Sequence, residues 1–555
     1  MSDNRVYGID LGTTYTCIAH VDEASGKPTV VSNFEGESIT PSVVLFEDAE
    51  TRVVGREAKN AAVLEPGNVV EMIKREMGTP WRREFHGKEV SPEEISSFIV
   101  RKVVDDAAQL GGTRPRQVVI TCPAYFDSTQ REATANAGKI AGLEVLEVLN
   151  EPTAAAITYG VQDKGDQTVL VYDLGGGTFD ITVIEIKGNV IRVVATGGND
   201  QLGGRDWDEE IVKYCADQWR AEHPGAESDI LDSPDSLQDL WGRAESGKRS
   251  LSNLPQTRIP VSHDGKQAAV TLQREKFEEL TAHLLENTVT FTKAVLEDAG
   301  RRGHQTVDRL LLVGGSTKMP QVKARLEKDF GFEIESFEPD FAVAKGAAIY
   351  GQKLAISERI RHEIAQQTDQ KPEEVDIAAT PQDVREAAEE AVADTMNLRL
   401  GTVRKFSTMK VTNVASHSFG VLAYTDDDTE VISNLVLAQQ ALPAEVTRVF
   451  GTRDDNASLI EIKIFENTAD ERIVTDFGMG EEVGDATLEM RSGLPAGSPI
   501  EITFQLNLQG RLHITGKDLA EGGKTVTAVI ETDRVLSLEE VEEAIERSRG
   551  IRVVG

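Results

Sequence analysis

"GIDLGTTYT" at residues 8–16 ends an apolar run in an aspartate and follows it at once with a glycine and two threonines. "VYDLGGGTFD" at 171–180 repeats the order: apolar run, Asp, Gly, Thr. A strand end delivers a side chain accurately, and glycine lets the backbone come close to a ligand. Successive N–H groups in such a turn make an anion nest, to which Thr hydroxyls add donors. The aspartate repels phosphate but can hold a Mg²⁺ water shell against phosphate oxygens. The two turns, Asp10 to Thr14 and Asp173 to Thr178, therefore predict a grip on one polyphosphate from opposite sides. A third glycine pair, Gly314-Gly315-Ser316-Thr317, also follows an apolar strand. A lone Asp-x-Gly turn is ordinarily only a turn; three Gly-rich strand ends in one α/β region weigh against that reading.

The whole chain sets bounds on the rest. Its 555 residues predict three or four compact units at about 150 residues each. A hydrophobic content of 39% supports real cores, and no run of 18 apolar residues exists to span a membrane. Met1 to Arg5 has no charged-then-apolar leader pattern, so the expected location is cytoplasmic. Cys17, Cys122 and Cys215 are few, odd in number and far apart, which fits a reducing compartment and small core residues. A net charge of −34 with no basic stripe repels a nucleic-acid backbone.

From Arg5 to about Gln352, apolar strands such as Val118-Val119-Ile120 and Leu310 to Val313 alternate with helical stretches, the pattern of helices packed on a sheet. Ser91-Pro92-Glu93-Glu94 reads as a capping box with Pro at the first helical position; Gly111-Gly112 stops that helix. Residues 355–403 turn polar and helix-prone, broken by Pro372 and Pro381, and read as a connector. From Val411 to Asp533 the period becomes two: Ile500, Ile502, Phe504, Leu506 and Leu508 share one face of a strand that turns back through a Gly-containing loop. Ser537 to Glu540 is a last capping box, opening a helix that ends at Gly550.

Gly242 to Lys248 matches the first seven positions of a P-loop, but Arg249 stands where a Mg²⁺-binding Ser or Thr belongs, and the preceding "SLQDLW" reads as helix. The P-loop reading is rejected. The motifs "KREMG", "CPAYFDSTQREAT", "AGLEVLEVLNEPTAAAITYG", "YDLGGGTFDITVIEI", "LGGRDWD", "LLLVGGSTKMP" and "PDFAVAKGAAIYG" occur in this order. With them the chain resembles the Hsp70 (DnaK-type) chaperone family over residues 5–352 and, more weakly, 411–550. The resemblance implies an α/β fold: an actin-like two-lobed ATPase domain (1–355), here followed by a helical connector (356–408), an all-β sandwich peptide-binding domain (409–535) and a short C-terminal helix (536–555) that reads as a truncated lid.

Carried over by position, Gly12, Thr13, Thr14 and Tyr15 would hold phosphates from the first lobe. Gly175, Gly176, Gly177 and Thr178 would do so from the second. Asp10 and Asp173 would arrange Mg²⁺ through its waters, with Asp180 nearby. Lys74 would orient the attacking water, with Glu151 beside it. Glu245, Lys248, Arg249 and Ser252 match the adenosine-contacting helix. Gly314, Gly315, Ser316 and Lys318 would close the adenine side, Lys318 standing where the family usually has Arg. Pro123 and Arg131 occupy the positions that sense the γ-phosphate and pass the signal onward. The implied cofactors are ATP/ADP and Mg²⁺, with K⁺ as a further option.

"SHSFGVLAY" (416–424), "LPAEVTRVFGTRDDNAS" (442–458) and "GLPAGSPIEITFQLNLQGRLHITGKD" (493–518) resemble the family's β-sandwich. Val421, Phe450, Ile460 and Ile462 align with the lining of its apolar groove, and Tyr424 with a residue arching over it; such a groove takes an extended peptide. Taken singly, each also reads as sandwich core. Three departures stand out: a shortened span between Lys74 and Ser91, no leucine-rich acidic linker, and no helical lid after the sandwich. The expected function is an ATP-hydrolysing chaperone for extended client polypeptides, with a J-domain co-chaperone and a nucleotide exchange factor as implied partners. The alternative is a nucleotide-dependent scaffold with a dedicated partner. A small-molecule kinase on the same fold is disfavoured by "NEPTAAA", "LGGRDWD" and the sandwich.

Overall fold

The computed structural model describes all residues except 1–4, 23–24, 163–164, 508–511, 521–522 and 530–534. Two α/β units of matching design form its N-terminal part. In the first, the strand Val6–Leu11 pairs in parallel with Gln117–Cys122 and turns back antiparallel into Tyr15–Val21. In the second, Gln167–Leu174 pairs in parallel with Arg309–Val313 and turns back into Phe179–Lys187. Each quoted motif is thus the tip of a hairpin whose first strand lies inside its sheet. Both hairpins are largely buried, their strands rich in Val, Ile and Leu, because helices cover both faces.

Local signals set the boundaries as expected. The helix Pro92–Gly111 opens on a complete capping box, with Glu94 N donating to Ser91 Oγ at 3.2 Å and Ser91 N to Glu94 Oε2 at 3.1 Å. It closes on Gly112 in the left-handed region. The would-be P-loop lies wholly within the helix Pro234–Leu251, so it makes no phosphate cradle. All three cysteines are buried and unbridged.

The segment read as a polar connector is packed. The helix Ala342–Thr368 runs unbroken across positions 355 and 356, so the expected boundary falls inside a core helix. Its Ile356, Ile360 and Ile364 are covered by Ala388 and Val392 of the helix Gln382–Thr395 and by Val403 and Phe406 of the helix Leu400–Ser407. These share one core with Val6 and Val171 of the two hairpins. The short strand Lys410–Thr412 then joins the second unit's sheet in parallel with Val190 to Arg192.

The C-terminal part holds two antiparallel sheets around one core. Phe419, Val421, Ile464 and Leu488 from one face meet Ile500, Ile502, Phe504 and Ile514 from the other. Ile500, Ile502, Phe504 and Leu506 are buried on one side of Pro499–Leu506, as the alternation predicts; Leu508 lies outside the described residues. The helix Leu538–Arg549 does not cover this sandwich, as a lid remnant would. Its Val541 and Ala544 pack on Ile140 of the first α/β unit. Arg552–Val554 then adds a parallel strand beside Thr51 to Val53. The physical reason is the helix's one-sided apolar stripe, which finds a complementary face on the helix Ser128–Ile140.

Candidate nucleotide site

The two hairpin tips face each other across a cleft of ≈ 540 Å³. They interdigitate. A Cβ on Gly176 would lie 2.3 Å from Thr14 Oγ1, and one on Gly177 would lie 2.4 Å from Thr13 Cγ2. Only glycine permits that approach. Gly314, at φ +83°, packs its α-carbon against the Leu174 carbonyl and the Asp173 carboxylate, where a Cβ would sit 2.4–2.5 Å away. The third glycine turn is therefore locked to the second.

At the cleft floor Lys74, 3% exposed, donates to Glu151 Oε1 at 2.5 Å. Asp10 and Asp173 line the same floor. Burial, reinforced by Glu151, pushes the Asp10 carboxyl up to about 7. Burial raises Asp173 well above the carboxylate range, with Glu151, Asp180 and Asp10 adding to it. Burial alone would pull the Lys74 ammonium down, but Glu151 and Asp10 outweigh it and hold Lys74 charged. One lysine among this many buried acids leaves a surplus of negative charge, and raised carboxyl pKa values are what such a surplus produces. The donor set, hard oxygens around a polyanion-sized cleft, fits Mg²⁺. Removing one partner of a buried pair such as Lys74–Glu151 costs about 3–5 kcal/mol, so the two act as a unit.

Gly12, Thr13, Thr14, Tyr15, Gly175, Gly176, Thr178, Glu245, Lys248, Arg249, Ser252, Gly314, Gly315, Ser316 and Lys318 all line the cleft. Gly177 touches the opposing Thr13 instead. Several are already engaged: Lys248 Nζ donates to Gly204 O at 2.6 Å and Asp208 at 2.8 Å, and Lys318 pairs with Asp340 at 2.6 Å. Asp180 stands apart. It is buried behind the floor, accepts from the Tyr125 N–H at 3.2 Å, and burial, then Glu151, pushes it up to about 8. Pro123 and Arg131 lie outside the cleft. Arg131 donates to the carbonyls of Phe126 at 3.1 Å and Ala124 at 3.2 Å, beside the chain entering the sandwich.

The sequence reading missed the bonds that hold the cleft closed. Lys59 pairs with Glu245 at 2.5 Å, Arg75 with Asp206 at 2.6 Å and with Gly177 O at 2.9 Å, and Arg249 donates to the Tyr15 hydroxyl at 2.7 Å. Arg75 and Asp206 sit inside quoted motifs and could have been found there. Lys59 carries no local signal.

The five sandwich residues divide. Val421 and Ile462 are packed in the core, Phe450 and Ile460 are half-buried against it, and Tyr424 is exposed, its hydroxyl donating to Glu430 at 2.8 Å.

Two α/β units thus bring their Gly-rich tips together over a floor of buried acids and one lysine. The family model for Hsp70 proteins matches residues 6–85, 81–371 and 385–552, and the chain belongs to the Hsp70 family. Members of that family are in general nucleotide-dependent chaperones and ATPases that use ATP or ADP with Mg²⁺. Among the described residues no helix is long and apolar enough to cross a membrane.

Proposed function

We propose that the protein is an ATP-hydrolysing Hsp70-type chaperone with an actin-like two-lobed ATPase domain and a β-sandwich that binds extended apolar segments of client polypeptides. The observation that carries this reading is the interlocked pair of glycine turns over the buried Lys74–Glu151 pair. Phosphoryl transfer to water asks for charge stabilisation and an aligned nucleophile rather than covalent work. The N–H groups and hydroxyls of Gly12 to Thr14 and Gly175 to Thr178 take the phosphate oxygens. Asp10 and Asp173 would hold Mg²⁺ through its waters, and the bound ion would neutralise phosphate charge. Lys74 places a water in line and offsets charge on the γ-phosphate, while Glu151 keeps the Lys74 ammonium aimed and accepts a hydrogen bond from that water. Arg249 and Ser252 border the nucleoside end, with Gly315 and Lys318 opposite.

Val421, Phe450, Ile460, Ile462 and Tyr424 are proposed as the peptide-contacting set. The burial of Val421 and Ile462 favours a second reading, a nucleotide-dependent scaffold whose sandwich grips one dedicated partner and no peptide. Single-turnover ATP hydrolysis with and without an unfolded peptide, and peptide release rates in ATP and in ADP, separate the two. Peptide-stimulated hydrolysis and faster release in ATP support the chaperone. No change in either leaves the scaffold. No hydrolysis at all removes the chaperone cycle and leaves a scaffold that only binds nucleotide.

A further inference from the structure

A second cavity, of ≈ 460 Å³, lies between the helix Leu538–Arg549 and the first α/β unit and shares no lining residue with the nucleotide cleft. Phe98, Ile140 and Ile551 give it an apolar wall. Its charged residues are unevenly matched. Glu94 is committed twice, to Ser91 N at 3.1 Å and to Arg547 at 3.0 Å. Glu540 accepts from Ser537 N at 2.8 Å, and Glu543 reaches Arg547 at 3.4 Å, leaving Glu89 at the rim.

The cations are less satisfied. Arg52 is 2% exposed, its guanidinium 4.4 Å from the Phe46 ring centroid. One terminal nitrogen donates to the carbonyls of Asp48 at 2.7 Å and Thr51 at 2.9 Å, while the buried Nε has no partner. Arg82 donates, among the described residues, only to the Trp81 carbonyl, at 2.8 Å. Among the described residues, neither these two nor Lys88 has a carboxylate within ion-pairing distance. Burial disfavours the Arg52 charge and outweighs Asp48 and Glu94, which favour it; an anion in the adjoining cavity would offset that cost. Guanidinium forks suit phosphate and carboxylate heads.

We propose that this cavity binds a small amphipathic anion, a phosphate- or carboxylate-bearing molecule whose head is taken by Arg52, Arg82 and Lys88 and whose apolar body lies on Phe98, Ile140 and Ile551. Because Arg547 and Ile551 come from the C-terminal segment and Arg52 from the strand it pairs with, the ligand fastens that segment to the α/β unit.

The test uses the full chain with its nucleotide cleft saturated by MgADP. 1-Naphthyl phosphate and 1-naphthylacetate are titrated by calorimetry, with inorganic phosphate as a head-only control. At least one aromatic anion should bind at a single site, more tightly than inorganic phosphate, and the better of the two identifies the head group. Arg52→Ala risks the strand itself, so the deciding variant is the surface double substitution Arg82→Ala/Lys88→Ala, which should weaken binding about tenfold or more. Hydrogen exchange in residues 536–551 should slow on binding. Absence of binding by both aromatic anions at millimolar concentration, equal affinity in the double variant, or protection confined to other parts of the chain would each overturn the proposal.

Discussion

The nucleotide cleft and the sandwich carry the two halves of the proposed activity, and they differ in how completely they are formed. The cleft is preorganised: loops of opposing units fit glycine into threonine, and a lysine is held by a glutamate before any ligand arrives. The sandwich turns two of its five candidate binding residues into its own core, Val421 and Ile462 against Leu488 and Phe504. A phosphate site must place several donors at fixed points and gains from rigidity. An apolar groove needs only surface that can be uncovered, and its residues are chemically the same as core residues. The comparison implies that the cleft is damaged by single polar changes and the sandwich by volume changes.

Lys74→Ala should break the comparison hardest. ATP should still bind, because both glycine turns remain, while single-turnover hydrolysis falls about 10²–10³-fold, the usual scale for losing a preorganised charge at a reacting centre. Near-normal turnover would remove Lys74 from the mechanism. Ile462→Ala comes next. Acting as core, it costs about 2–5 kcal/mol of sandwich stability, read as a lowered thermal midpoint. Acting as groove lining, it leaves the midpoint in place and weakens peptide affinity.

Lys59→Ala has a smaller expected effect and sharpens the account of closure. The pair with Glu245 bridges the two units across the cleft. Both side chains are partly exposed, and such pairs contribute about 1 kcal/mol or less. Nucleotide release, followed by a fluorescent ATP analogue in stopped flow, should accelerate by up to about fivefold, with the hydrolysis rate unchanged. Unchanged release would mean that Arg75–Asp206 and Arg249–Tyr15 hold the cleft without it.

Much of the cleft was legible because its signals are local. Asp, Gly and Thr stand within a few positions of each other, and the backbone geometry of a tight turn dictates those residue types. Ser91 and Ser537 announced their helices for the same reason. The closing bonds were not legible, since Lys59 and Glu245 meet only after two units have folded and packed. The connector misled for a related cause: Ile356, Ile360, Val392 and Phe406 are spaced among charged residues, so composition looked polar while one face of each helix was apolar. The strands Lys410–Thr412 and Arg552–Val554 are too short for alternation to show, and their partners lie far away in sequence. Val421 and Ile462 remained double in meaning, because alternation marks an inward face without saying whether a ligand or another sheet fills it.

A cluster between the two regions offers the finest test of how they are joined. Ser128 Oγ donates to Glu466 of the sandwich at 2.5 Å, His417 lies 3.1 Å from the same carboxylate, and the Tyr125 and His417 rings meet edge-on at 4.9 Å. Beside them Asp127, the cap of the helix Ser128–Ile140, is pushed by burial and by Glu466 up to about 7 from 3.8. A carboxyl that holds its proton more tightly in the folded chain contributes its full stabilisation below the unfolded pKa, and that contribution is lost as pH rises through the folded one. His417 has the same sign: burial opposes its charge, but Glu466 outweighs burial and raises it, so its contribution also fades as pH climbs past its ordinary value. The contact should therefore loosen as pH rises from about 4 through about 7 on account of Asp127, with His417 adding to the loss above its ordinary value of 6.5. Hydrogen exchange in residues 126–131 and 415–418, corrected for intrinsic rates, should show protection falling across that window. Asp127→Asn, which keeps a cap but cannot titrate, should flatten the dependence at its lower end and leave the His417 portion. A profile identical to the parent's would place the pH response elsewhere and leave the junction of cleft and sandwich to Ser128 and Glu466 alone.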